Sequence, residues 1–131
     1  MPIEKQVVRY GPLKDFIAQG VRVGNTIHVS GQVSVDAAGE VVGAGDIVAQ
    51  VRQAYVNLAE VLGHFGAGLE NVASETYFVT DIAGFLKTGR TVFAARAEAY
   101  GGPPAVTQTL IGVSALFRPE LMVEIQVVAH I

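Results

Sequence analysis

The chain has 131 residues, half of them hydrophobic, a formal net charge of -3 and no cysteine. That length suits one domain spanning residues 1–131, with enough chain for a substantial core but not for two. The weakly acidic balance, with no run of Lys or Arg, lacks the electrostatic footprint of a nucleic-acid or anionic-membrane binder; the missing thiols exclude a disulfide framework, a thiolate nucleophile and a zinc knuckle.

Taken in order, Gln6 to Arg9 reads as a short opening strand ended by Gly11 and Pro12. Phe16 to Val23 and Thr26 to Gln32 are β-type runs split by Gly24 and Asn25, a pair that tolerates positive φ and suits a tight hairpin. Gly31 interrupts the second run; such a glycine marks a bulge, a close approach of a ligand or backbone, or simply a turn entry. Asp46 is a candidate N-cap, and Val48, Val51, Tyr55, Leu58, Leu62 and Phe65 follow at spacings of three and four, predicting a helix to about His64. Gly66 and Gly68 stop it. Asn71 to Thr80 is the next strand. Asp81 is a second cap candidate, but Gly84 and Gly89 weaken the turns after it, so a loop through Phe85 and a second helix from Arg90 to Tyr100 are expected. Gly101, Gly102, Pro103 and Pro104 break that helix.

Two strands complete the chain, Pro103 to Val113 and Leu121 to Ala129, joined by Ser114 to Glu120. Along the last of them Leu121, Val123, Ile125, Val127 and Ala129 share one apolar face, while Met122, Glu124, Gln126 and Val128 share the other. An antiparallel hairpin centred near Leu116 is expected, with Gln108 opposite Glu124. The order strand, hairpin, helix, strand, helix, strand, strand is α+β, its two helices covering one sheet face. The uncovered face and the high apolar fraction of so small a chain favour a homo-oligomer. The opening Met1 to Lys5 has no apolar signal-peptide core, and the longest uncharged stretch, Ala99 to Phe117, is broken by glycine and proline. A cytoplasmic protein without membrane contact is the expectation.

Chemistry is sparse. His28, His64 and His130 lie in different elements without ligand spacing, so no metal site is expected. Gly43 and Gly45, like Gly66 and Gly68, lack the rest of a dinucleotide fingerprint, and no nucleophile elbow or phosphate loop is present. Glu124 is the informative charge: a carboxylate in a nearly apolar strand reaches water, pairs with a partner or serves a site, or it is an edge charge that discourages aggregation.

The run Val23, Gly24, Asn25 with Ile27 to Gln32, then Gln50 to Leu62 with Asn57 and Leu58, then Phe78 to Asp81, and finally Pro103 to Ala105 and Val123 to Ile125, resembles the RidA/YjgF family of reactive-intermediate deaminases, also called the endoribonuclease L-PSP family. The resemblance covers nearly the whole chain in order. It implies a chorismate-mutase-like fold, a homotrimeric barrel with inter-subunit clefts, and cofactor-free hydrolysis of enamines and imines such as 2-aminoacrylate. By that resemblance Glu124 is catalytic and positions water, while Ile17, Gly31, Gln108, Thr109 and Leu110 occupy the substrate-binding positions. Two of those positions depart from the pattern: Gln108 stands where relatives carry the arginine that grips a substrate carboxylate, and Ile17 where they carry a tyrosine. A neutral amide gives about half the strength of a charge-assisted bidentate contact. The expected function is therefore deamination of a small metabolite other than the usual 2-aminoacrylate-type acid, with no cofactor and no metal. The alternatives are a non-catalytic small-metabolite-binding trimer and, third, an endoribonuclease.

Overall fold

The computed structural model describes residues 1–131. Six strands form one mixed sheet, β1 (Gln6–Val8), β2 (Gly20–Val23), β3 (Thr26–Val33), β4 (Val72–Val79), β5 (Thr107–Gly112) and β6 (Val123–His130), in the spatial order β1-β2-β3-β6-β4-β5. Three helices accompany it: α1 (Ile47–Gly63), α2 (Ile82–Lys87) and α3 (Gly89–Tyr100). The architecture is α+β, with α1 and α3 the two main helices.

Local signals account for most of these boundaries. Gly24, with φ +57°, turns the β2–β3 hairpin. Asp46 caps α1 by accepting from the Ala49 amide at 3.1 Å. Residues Phe16 to Ala18 are not strand; the amides of Phe16 and Ile17 both turn back to Leu13 O. The loop expected through Phe85 is also corrected, because Asp81 accepts from the Gly84 amide at 3.0 Å and Phe85 buries its ring. A cap and one buried aromatic outweigh the helix cost of Gly84.

The C-terminal pairing differs most from expectation. β5 does not form a hairpin with β6; it lies parallel to β4, at the end of a β4–α2–α3–β5 crossover, and β6 runs antiparallel between β3 and β4. Burial explains the exchange. Val123, Ile125, Val127 and Ala129 are all at most 1% exposed, so β6 takes a central position where both its edges are bonded and its apolar face meets the helices. Thr107 to Ile111 alternates between exposed and half-buried, as an edge strand does. Gln50 of α1 secures the connection: its amide donates to Gly43 O and Glu120 O, and its Oε1 accepts from the Met122 amide at 2.8 Å.

Beneath β4, Glu75 is buried in the core with four donors on its two oxygens. Tyr55 and Tyr100 hydroxyls donate to Oε1 at 2.8 and 2.7 Å; Arg96 Nε and Gln108 Nε2 donate to Oε2 at 2.6 and 2.8 Å. The Tyr55 proton being committed, Tyr77 is the donor in the 2.6 Å contact between the two phenols. Burial, followed by neighbouring negative charge, raises the ionisation of Tyr55 and Tyr77 above the ordinary value, and burial with the Glu75 hydrogen bond does the same for Tyr100, so all three remain neutral donors. Burial by itself opposes the charge on Arg96, but the bond and charge of Glu75 more than offset it. Removing one member of a buried ion pair costs about 3–5 kcal/mol. Arg96→Met is therefore expected to lower urea-unfolding stability by about that amount, and Glu75→Leu combined with Arg96→Met by less than the sum of the single changes. Additive losses would mean the pair is not coupled.

Candidate functional site

Glu124 stands on the face of β6 turned away from the helices, between Phe78 of β4 and Val33 of β3. The register of β3 against β6 shifts between Val29 and Gln32, so a bulge lies beside it. That irregularity brings the backbone of Gly31 onto the carboxylate: a Cβ at this position would lie 2.7 Å from Glu124 Cδ and 2.8 Å from Oε2. Gly31 has no left-handed φ. Space, not conformation, requires glycine here.

The carboxylate opens into a cavity of about 480 Å³. Pro12, Leu13, Ile17, Val33, Val35 and Phe117 supply apolar walls, and Gln19, Ser30 and Gln32 the polar ones. Gln32 Nε2 donates to Gln19 Oε1 at 2.9 Å and to Ser30 O at 3.0 Å; Ser30 Oγ donates to Ala18 O at 2.7 Å. No ion pair engages Glu124, whose oxygens still reach solvent. Partial burial pushes its ionisation above the ordinary value of 4.5. No group of three or more His, Asp or Glu is placed to hold a metal ion.

The structure thus brings Glu124, Gly31 and Ile17 together and places Gln108, Thr109 and Leu110 elsewhere. Gln108 is opposite Glu75, Thr109 opposite Thr76 and Leu110 opposite Tyr77, all on the far side of β4 from β6. Glu75 and Phe78 are three residues apart on β4, hence on opposite faces, so Gln108 and Glu124 are also on opposite faces of the sheet. The predicted cross-strand meeting of those two side chains is corrected. Sequence reasoning passed over Gln19, Ser30, Gln32 and Phe117, which only the bulge and the β5–β6 connection bring to the cavity. Glu75 did carry a signal, a carboxylate inside a β-run like that at Glu124. A second hollow, of about 430 Å³ between the N-terminal ends of α1 and α2, has its two carboxylates, Asp46 and Asp81, occupied as helix caps.

The sequence profile of the family described as Endoribonuclease L-PSP matches residues 9–131. A RutC family protein of Pyrococcus horikoshii is 30% identical over 114 residues, 86% of this chain and 85% of that one. A mouse 2-iminobutanoate/2-iminopropanoate deaminase is 35% identical over 68 residues, which is 52% of this chain and 50% of the mouse protein. Among solved structures, a member of the YjgF/YER057c/UK114 family from Mycobacterium tuberculosis superposes with a TM-score of 0.79 at 30% identity, covering 98% of this chain and 100% of the other. The match in both sequence and fold runs through the strands that build the Glu124 cavity, and the chain belongs to the endoribonuclease L-PSP family, the RidA/YjgF family that its sequence resembles.

Proposed function

We propose that this protein is a cofactor-independent hydrolytic deaminase of small enamines or imines, assembled as a homotrimer, with a substrate other than the 2-aminoacrylate-type acids. The observation that carries this reading is a solvent-reachable carboxylate, without an ion-pair partner, in a cavity sized for a small metabolite. The name of the mouse relative is consistent with it.

In the proposed reaction Glu124 accepts a proton as water adds to the carbon of the protonated imine, giving a neutral carbinolamine. Glu124 returns that proton to nitrogen and takes the hydroxyl proton as the carbon–nitrogen bond breaks, so that a carbonyl compound and ammonia leave, the ammonia carrying off the last proton. A raised carboxylate suits both steps, because it accepts and returns a proton nearer neutral pH. The trimer is supported by the exposed outer side chains of edge strand β5, Thr107, Thr109 and Ile111, which a neighbouring protomer would cover. Through that contact Thr109 and the Leu110 amide of one copy would border the Glu124 cavity of the next. RNA cleavage finds no support in a chain of net charge -3 whose cavity has Glu124 as its single charged side chain.

Glu124→Gln is expected to lower ammonia release from a carboxylate-free imine by on the order of 10²–10⁴-fold. An unchanged rate would remove Glu124 from the mechanism, and ligand-induced stabilisation without any turnover would favour the non-catalytic binder.

The same substitution has an opposite effect on stability. Because the folded-state pKa of Glu124 lies above its unfolded value, ionisation destabilises the fold at neutral pH and has no effect once both states are protonated. Glu124→Gln should raise the melting temperature at pH 7, with the gain fading as pH falls through the raised pKa and gone below about 4.5. A gain of equal size at every pH would refute this assignment.

Gln108→Arg should leave turnover of 2-iminopropanoate unchanged, since a side chain there lies on the Glu75 side of the sheet. Ammonia release increased tenfold would show that position 108 reaches substrate.

A further inference from the structure

We propose that Asn57 is a positioning residue for Glu124: by holding two backbone carbonyls at the exit of β3, it fixes where that strand parts from β6 and so where the carboxylate sits. The proposal rests on the deaminase reading for the task of Glu124 and deepens it by naming a residue that acts through Glu124 from the other side of the sheet.

Asn57 belongs to α1, whose buried stripe packs on the face of the sheet opposite to Glu124, and it does not line the Glu124 cavity. Its Nδ2 donates to Val33 O and to Val35 O, each at 2.9 Å. An amide nitrogen carries two hydrogens, so both are committed to the end of β3. Gln53, one helical turn earlier, orients the amide by donating from Nε2 to Asn57 Oδ1 at 2.9 Å.

Val33 is the β3 residue opposite Glu124 and the last of its strand. Its carbonyl takes a second donor, the Val35 amide at 2.8 Å, so a three-residue turn centred on Ser34 follows at once. Two donors fill the two lone pairs of Val33 O. Beyond the turn the chain no longer follows β6: Val35 pairs with Val41, and the buried Ser34 donates from Oγ to Val42 O at 2.6 Å. The sheet therefore opens beside Glu124, at the residue that Asn57 grips. Just upstream lies Gly31, whose backbone packs on the carboxylate; Val33 and Val35 themselves form cavity wall. Released from Asn57, the end of β3 would let the bulge relax and water reach the carboxylate. All these contacts lie within one chain, whatever a neighbouring copy adds to the cavity.

The test follows the Glu124 carboxyl carbon by NMR titration in the full chain, together with the pH profile of ammonia release from a carboxylate-free imine. Glu124 is the only titratable side chain with which this chain lines the cavity, and Thr76 and Phe78 of β4, with Met122 and Gln126 beside it, are uncharged, so its titration reports its hydration. Asn57→Ala should bring the raised midpoint of Glu124 down toward the ordinary 4.5, move the acid limb of kcat with it, and lower kcat at pH 7 by about tenfold or more. A substitution that merely loosened the fold would scale the rate at every pH and leave the midpoint in place. Gln53→Ala removes the bond that orients Asn57 and a long contact of 3.5 Å to Val35 O. It should move the midpoint in the same direction by less and add nothing to Asn57→Ala. An unmoved midpoint in Asn57→Ala, or in Gln53→Ala where the former does not fold, would overturn the proposal, as would equal and additive shifts. A midpoint that moves while no imine yields ammonia would sink the deaminase reading and keep the link from Asn57 to Glu124. Turnover with an unmoved midpoint would do the reverse.

Discussion

A fully desolvated carboxylate is tolerated only when its lone pairs are occupied, and Glu75 imposes that condition on the rest of the molecule. Its four donors come from α1, α3 and β5, all converging on β4. Arg96 extends the clamp by donating to Val106 O, just ahead of β5. One charge thereby fixes the position of the edge strand, the tilt of the last helix and the first helix at the same point. Without it β5 would keep only its ladder to β4, the Thr107 hydroxyl bond to Ala73 O and the packing of Val106 and Leu110 on the core. Three phenols and an amide bring no further charge to this cluster, so it remains a single ion pair in a neutral shell.

The two carboxylates of the sheet have opposite fates because they occupy opposite faces. Glu75 faces the helices, is saturated, and works as structure. Glu124 faces away from them, is half-buried and has no ion-pair partner, so its acceptor capacity is directed at the cavity. Gly31 makes this possible by bringing backbone where any side chain would displace the carboxylate. Gln108 belongs to the first group. Its amide serves Glu75, and within one chain it has no line to Glu124.

Local patterns read correctly where a single element decides the outcome. The α1 stripe from Val51 to Phe65 is buried as its spacing requires, and Asp46 caps it. The apolar alternation of β6 identified the face that meets the core. Reading failed where elements compete for a partner. Nothing in Thr107 to Gly112 distinguishes a strand that pairs with β6 from one that pairs with β4, since both arrangements satisfy the same backbone bonds. The turn from Asp81 to Phe85 was misread for a related reason: propensity counted the glycines and could not count the core space that Phe85 fills.

The amino-acid order by itself determined most of the strands, the two main helices, the α+β class, the family and the presence of a lone acid in an apolar run at position 124, because periodicity, caps and a charge among apolar residues are local properties. Tertiary structure alone decided which strands are neighbours, that Gln108 answers to Glu75, and which side chains of the chain gather around Glu124. Those outcomes depend on which face and which partner each residue meets after long-range pairing, and a period of two along a strand carries no information about the strand beside it.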